Sequence, residues 1–108
     1  MEKYLLIESR DPYETREVEN NYALASSLAT AGNDVTLFLV QNGVLPARKG
    51  AKLNGLQEVI NSGVHVLGDE FSLRERGIAM DTLPKGIRAA PIDVVVDQLA
   101  EGRKAIWL

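Results

Sequence analysis

The residues best placed by type and spacing to do chemistry are Asp69, Glu70 and Ser72, in the run Asp69-Glu70-Phe71-Ser72. Two neighbouring carboxylates repel when both ionise, which lifts one pKa and can leave an acid beside a base. The same residues suit a plain structural role. Aspartate caps a helix N-terminus, and a glutamate in the first turn is favoured by the helix dipole. Ser72 and Ser9 are candidate nucleophiles, but no Gly-x-Ser-x-Gly elbow surrounds either one. A serine triad also needs an imidazole. The sole histidine, His65, sits in an apolar run between Val64 and Val66, where a structural role facing a helix layer is the simpler reading. Arg74 and Arg76 could hold an anion, yet Glu70 and Arg74 have the i, i+4 spacing of a modest surface ion pair. Trp107 suits an interface anchor or a core position on a last strand, and the sequence leaves both open.

Composition narrows the chemistry further. There is no cysteine, which removes disulfides, thiolate metal ligands, persulfides and cysteine nucleophiles together. With one histidine and no thiol, no metal site is expected. No Gly-x-Gly-x-x-Gly and no P-loop lysine follow a strand, so no cofactor is expected. A small ligand or nucleotide held by backbone amides at helix N-termini is the weakest of the binding alternatives. Twelve basic against fifteen acidic residues give a net charge of -3, and the densest basic stretch, Arg48, Lys49 and Lys52, reads as a solvated loop and first helical turn. No nucleic-acid partner is expected. No apolar run nears the roughly 20 residues that span a bilayer. Residues 1–7 read as a strand rather than a signal peptide, and the expected location is cytoplasmic.

A chain of 108 residues is read as one domain, 1–108, and its apolar pattern switches between strand and helix periods. Residues 4–7, 35–40, 64–67 and 104–108 suit strands, with a short fifth around Ile87. Asp11, Pro12 and Glu14 look like a helix start, predicting a first helix over residues 12–31. Asn42-Gly43 predicts a turn. Leu53, Leu56, Val59 and Ile60 mark a second helix closed by Gly63, and Asp69 could cap a short one reaching Arg76. Pro91 opens a last helix whose buried stripe would be Ile92, Val95, Val96 and Leu99. Alternating strands and helices imply a three-layer α/β/α sandwich with a mostly parallel four- to five-stranded sheet.

In such sheets ligands bind beyond the carboxyl ends of the strands. That rule selects the loops at residues 8–11, 41–43 and 68–72. The expected pocket-lining residues are therefore Ser9, Asn42, Gly43, Asp69, Glu70 and Ser72.

Three stretches carry a family likeness. Ala23-Leu24-Ala25 runs through Ala31-Gly32-Asn33-Asp34-Val35 and Leu37-Phe38-Leu39 to Gln41-Asn42-Gly43-Val44. Leu56 leads through Gly63 to Val64-His65-Val66, and Ser72-Leu73-Arg74-Glu75-Arg76-Gly77-Ile78 matches a Ser-Leu-x-x-Arg-Gly-Ile signature. In order and spacing the chain resembles the DsrE/DsrF-like family, whose members include subunits of the sulfur-relay complexes serving tRNA thiolation and dissimilatory sulfur oxidation. Active members place a sulfur-carrying cysteine three residues before the signature serine. Here that position is Asp69. A carboxylate cannot accept and release sulfane sulfur, which needs a thiolate. Cysteine-lacking relatives serve as companion subunits. The resemblance thus implies an oligomeric accessory role, as a homo-oligomer (trimer or hexamer) or as a hetero-oligomer with a cysteine-bearing relative. The alternative is a small-molecule enzyme using Asp69 as acid or base, with Glu70, Ser72 and Ser9 placing the substrate.

Overall fold

The fold is described from a computed structural model covering residues 1–53 and 55–108. Five strands form one sheet: β1 (Lys3–Glu8), β2 (Asp34–Leu39), β3 (His65–Asp69), β4 (Ile87–Ala90) and β5 (Lys104–Trp107). They lie in the order β4-β3-β2-β1-β5, and all four pairings are parallel. The central strands are apolar on both faces, as parallel strands between helix layers must be. Leu5, Leu6, Leu37, Phe38 and Leu39 are fully buried.

Helices α1 (Glu17–Thr30), α2 (Leu56–Asn61) and α3 (Glu70–Glu75) follow β1, β2 and β3, and α4 (Asp93–Ala100) follows β4. The chain steps outward from β1 to β4 and then crosses back to place β5 on the other side of β1. This reversal sends α4 to the opposite face. One core therefore gathers Leu6, Leu37 and Val66 with Val18 and Tyr22 of α1, Val59 of α2 and Leu73 of α3. The second, smaller core sets Leu5, Ile7, Phe38 and Leu67 against Val94 and Val95 of α4 alone.

Two elements differ from the sequence reading. The first helix begins at Glu17 rather than Pro12. The Asp11 carboxylate accepts the Tyr13 N–H at 3.1 Å, the Glu14 carboxylate accepts the Asp11 N–H at 3.3 Å, and the Glu14 N–H bonds the Asp11 carbonyl at 2.9 Å. The capping residues thus close a separate turn instead of opening the helix.

The larger difference is the facing of α4. Val95 is buried, but Ile92, Val96 and Leu99 are 53%, 62% and 49% exposed. The helix carries two usable faces. Gln98 turns inward, where its Nε2 donates to the buried Thr36 hydroxyl at 3.2 Å, and this rotation carries Val94 and Val95 onto the sheet. The i, i+4, i+7 stripe of Ile92, Val96 and Leu99 is left outside. The edge strand β5 is exposed along its whole length, with Ile106 38% and Trp107 68% exposed. Trp107 therefore does not fill the core.

Candidate cleft at the strand carboxyl ends

The strand order reverses between β1 and β5, and a cleft of about 470 Å³ opens above that point. Crevices form at such reversals because the two crossovers leave in opposite directions. Ser9 after β1, Asn42 after β2, Asp69 ending β3 and Trp107 of β5 all line it.

Asp69 ends β3 and caps α3. Its backbone is extended (φ -62°, ψ 123°), and its Oδ2 accepts the Ser72 N–H at 3.0 Å. The Ser72 hydroxyl donates to the same oxygen at 2.7 Å and accepts the Gln41 backbone N–H at 2.8 Å. Ser72 is thus buried and engaged in both directions. Among the described residues Asp69 Oδ1 has no donor.

The loop after β2 is a 3-10 segment, Gln41–Ala47, rather than a bare Asn42-Gly43 turn. Gln41, not a glycine, takes the left-handed conformation (φ 51°), a costly state for a side-chain-bearing residue that its bond to Ser72 helps hold. Gly43 serves space instead. It does not line the cleft, and a Cβ there would lie 2.3 Å from the Glu8 carbonyl oxygen. The loop is pressed onto the end of β1 as a result. Arg76 closes the far side, its Nε and Nη2 donating to Asn42 Oδ1 at 3.2 and 3.1 Å and its Nη1 to the Ser72 carbonyl at 3.3 Å. It is fastened to the loop, not free to hold an anion.

Glu70 and Arg74 line a second depression of about 400 Å³, which shares Asp69, Phe71 and Ile92 with the cleft. Among the described residues no ion pair joins Glu70 to Arg74. His65 begins the strand that Asp69 ends, roughly 13 Å away by strand rise. Its side chain is 61% exposed, with Nε2 3.7 Å from Asp34 Oδ1 at the other edge of the sheet. It is neither a buried structural histidine nor a partner for either serine, so no serine triad forms. No group of three or more metal-ligating side chains occurs among the described residues.

Sequence reasoning missed the aromatic and apolar wall, Phe71 and Ile92, because both read as ordinary helix residues. It also missed a buried charge beneath the cleft. Glu8 is fully buried, with Asn21 Nδ2 2.8 Å and the Arg10 N–H 3.1 Å from its carboxylate oxygens. Arg10 Nε lies 3.9 Å away and its Nη1 reaches Glu17 at 3.0 Å. Nearby, the Tyr22 hydroxyl is buried without a partner among the described residues. Burial first, then the charges of Glu8 and Asp11, push its pKa upward.

A parallel five-stranded sheet flanked by helices, with a loop-built cleft at the strand-order reversal, defines a protein of the open α/β class. Solved structures share this fold over nearly all of their length. The ychN protein from E. coli aligns with a TM-score of 0.85 at 22% identity, covering 100% of both chains. MTH1491, a protein of unknown function from Methanobacterium thermoautotrophicum, gives 0.79 at 18%, again over 100% of both. BT1422, a conserved protein of unknown function from Bacteroides thetaiotaomicron, gives 0.78 at 17% over 99% of this chain and 95% of its own. No curated protein matches the sequence. The model of the DsrE/DsrF-like family matches residues 2–108, and the chain belongs to that family.

Proposed function

We propose that this protein is a non-catalytic, oligomeric subunit or binding protein of sulfur-relay type, working in the cytoplasm without persulfide chemistry of its own. The carrying observation is the outward apolar stripe of α4, in which Val96 and Leu99 are 62% and 49% exposed and lie outside the cleft. A solvated helix ordinarily turns such a stripe inward, and burying it against another subunit is strongly favourable. The absence of cysteine and the use of Asp69 as a helix cap, where active relatives carry their thiol, support the non-catalytic half of the reading.

The favoured partner is a second copy of the chain in a trimer or hexamer. Native mass spectrometry of the wild type and of a Val96→Lys, Leu99→Lys double variant tests it. The wild type assembles and the double variant falls to monomer. A wild-type protein that stays monomeric alone, and also when mixed with a cysteine-bearing relative, sinks the proposal. Assembly only in that mixture moves it to the hetero-oligomer.

A second reading has one observation in its favour, the cleft-lining Asp69 carboxylate whose Oδ1 takes no hydrogen from the described residues. It makes the chain a small-molecule enzyme with Asp69 as acid or base. An Asp69→Asn variant that kept full turnover of an identified substrate would end it.

A further inference from the structure

We propose that the cleft binds an organic ammonium ion, a positively charged amine on an apolar stem, with Asp69 as its counter-ion. This deepens the binding role above and rests on it only in treating the cleft as a ligand site.

The charge balance of the walls favours a cation. Asp69, Glu70, Glu75 and Asp93 face the cleft and its adjoining depression, against Arg74 and Arg76. Arg76 is committed to Asn42 Oδ1 and the Ser72 carbonyl. Four carboxylates therefore oppose two guanidinium groups, one of them already engaged.

Asp69 supplies an independent reason. It is only 8% exposed, yet both Ser72 donors go to Oδ2 and none of the described residues donates to Oδ1. Oδ1 is therefore the carboxylate oxygen that meets water in the cleft, open to a donor that a ligand brings. An ammonium group carries three donors and the opposite charge. Asp69 lines both hollows, so a cation beside it lies where they meet.

The walls specify the rest of the ligand. Phe71 is 59% and Trp107 68% exposed, and Ile92 stands with them. Aromatic faces attract ammonium ions within about 6 Å, and exposed apolar walls gain by covering a hydrocarbon stem. An anionic ligand meets net negative charge. A neutral apolar ligand leaves Asp69 Oδ1 unmet.

The sole tryptophan, Trp107, lies on the wall and reports occupancy by its fluorescence. Wild-type protein is titrated at neutral pH with hexylammonium, hexanol and hexanoate, and with Nα-acetyl-lysine methylamide. Hexylammonium gives a saturable change about tenfold tighter than hexanol or hexanoate, and Asp69→Asn weakens it about tenfold with the hydrophobic control unchanged. Tighter binding of the acetyl-lysine probe than of hexylammonium identifies a protein lysine as the source of the ammonium; the reverse identifies a free amine. Hexanol or hexanoate binding within about threefold of hexylammonium overturns the proposal, as does an unchanged affinity in a folded Asp69→Asn protein. The wild-type comparison decides the matter even if that variant does not fold. Light scattering on the same samples separates the two readings. Lost amine selectivity with assembly intact removes this inference alone, and a monomer that selects amines removes only the assembly.

Discussion

The Ser72 hydroxyl donates to Asp69 Oδ2 at 2.7 Å while the Ser72 N–H reaches the same oxygen at 3.0 Å, so one serine closes the cap of α3 twice. The same hydroxyl accepts the N–H of Gln41, tying the loop after β2 to the end of β3. A Ser72→Ala substitution removes one donor from a buried carboxylate and strands a backbone N–H. Stability should fall by about 1–3 kcal/mol. Urea denaturation would show a lower midpoint with an unchanged slope, and a midpoint equal to wild type would contradict the role given to the hydroxyl.

Asp69 caps the N-terminus of α3, a setting that would lower the pKa of a thiol placed there and favour the thiolate. An Asp69→Cys protein treated with polysulfide should therefore accept one sulfur atom at that residue, the polysulfide shortening by one. Intact-mass spectrometry reads the gain, with cysteine-free wild type as the blank. If the new thiol reacts with a small alkylating reagent yet takes up no sulfur, the match between position 69 and the family's sulfur-carrying position fails.

Tyr22 places a phenol in the core without a hydrogen-bond partner among the described residues, its pKa raised by burial and by Glu8 and Asp11. In the unfolded chain a phenol ionises near about pH 10. The folded state then holds the proton that the unfolded state releases, so this contribution is complete below about pH 10 and is lost as the pH climbs above it. A Tyr22→Phe variant should match wild type at neutral pH or exceed it by up to about 1 kcal/mol. Its advantage should widen in alkaline urea melts. A constant difference across that range would show that the phenol ionises as readily in the fold as in the unfolded chain.

Gly43 admits no side chain, since a Cβ would stand 2.3 Å from the Glu8 carbonyl oxygen and 3.1 Å from its carbon. Those atoms are backbone, so relief requires moving the loop off β1. Gly43→Ala should lose about 3 kcal/mol in chemical denaturation and disturb the cleft. A variant as stable as wild type would mean that the 3-10 segment can shift freely.

Much of this architecture is legible in the residues. The central strands announce themselves because both faces are covered, which leaves β2 nearly continuous in large apolar side chains. Asp69 reads as a cap and acts as one. The loops at the strand ends meet because parallel strands all deliver their carboxyl ends to one edge. Other features follow from contacts that local pattern does not encode. The start of α1 depended on whether Asp11 and Glu14 would satisfy each other or the helix. The facing of α4 is not set by the regularity of its stripes: the fold buries Val94 and Val95 with Gln98 and leaves Ile92, Val96 and Leu99 outside. Glu8 ends a strand, where a charge ordinarily meets water, and only the fold shows α1 lying over it.

Tyr4 of β1 pairs with Lys104 of β5, about a hundred positions downstream, while its other neighbour, Val35 of β2, comes early. During synthesis the first strand must therefore wait beside an open lane until nearly all of the residues described here have left the ribosome. The crossing that creates the cleft is thus the last to form, and a nascent chain spends its longest interval with Leu5 and Ile7 covered on one side only.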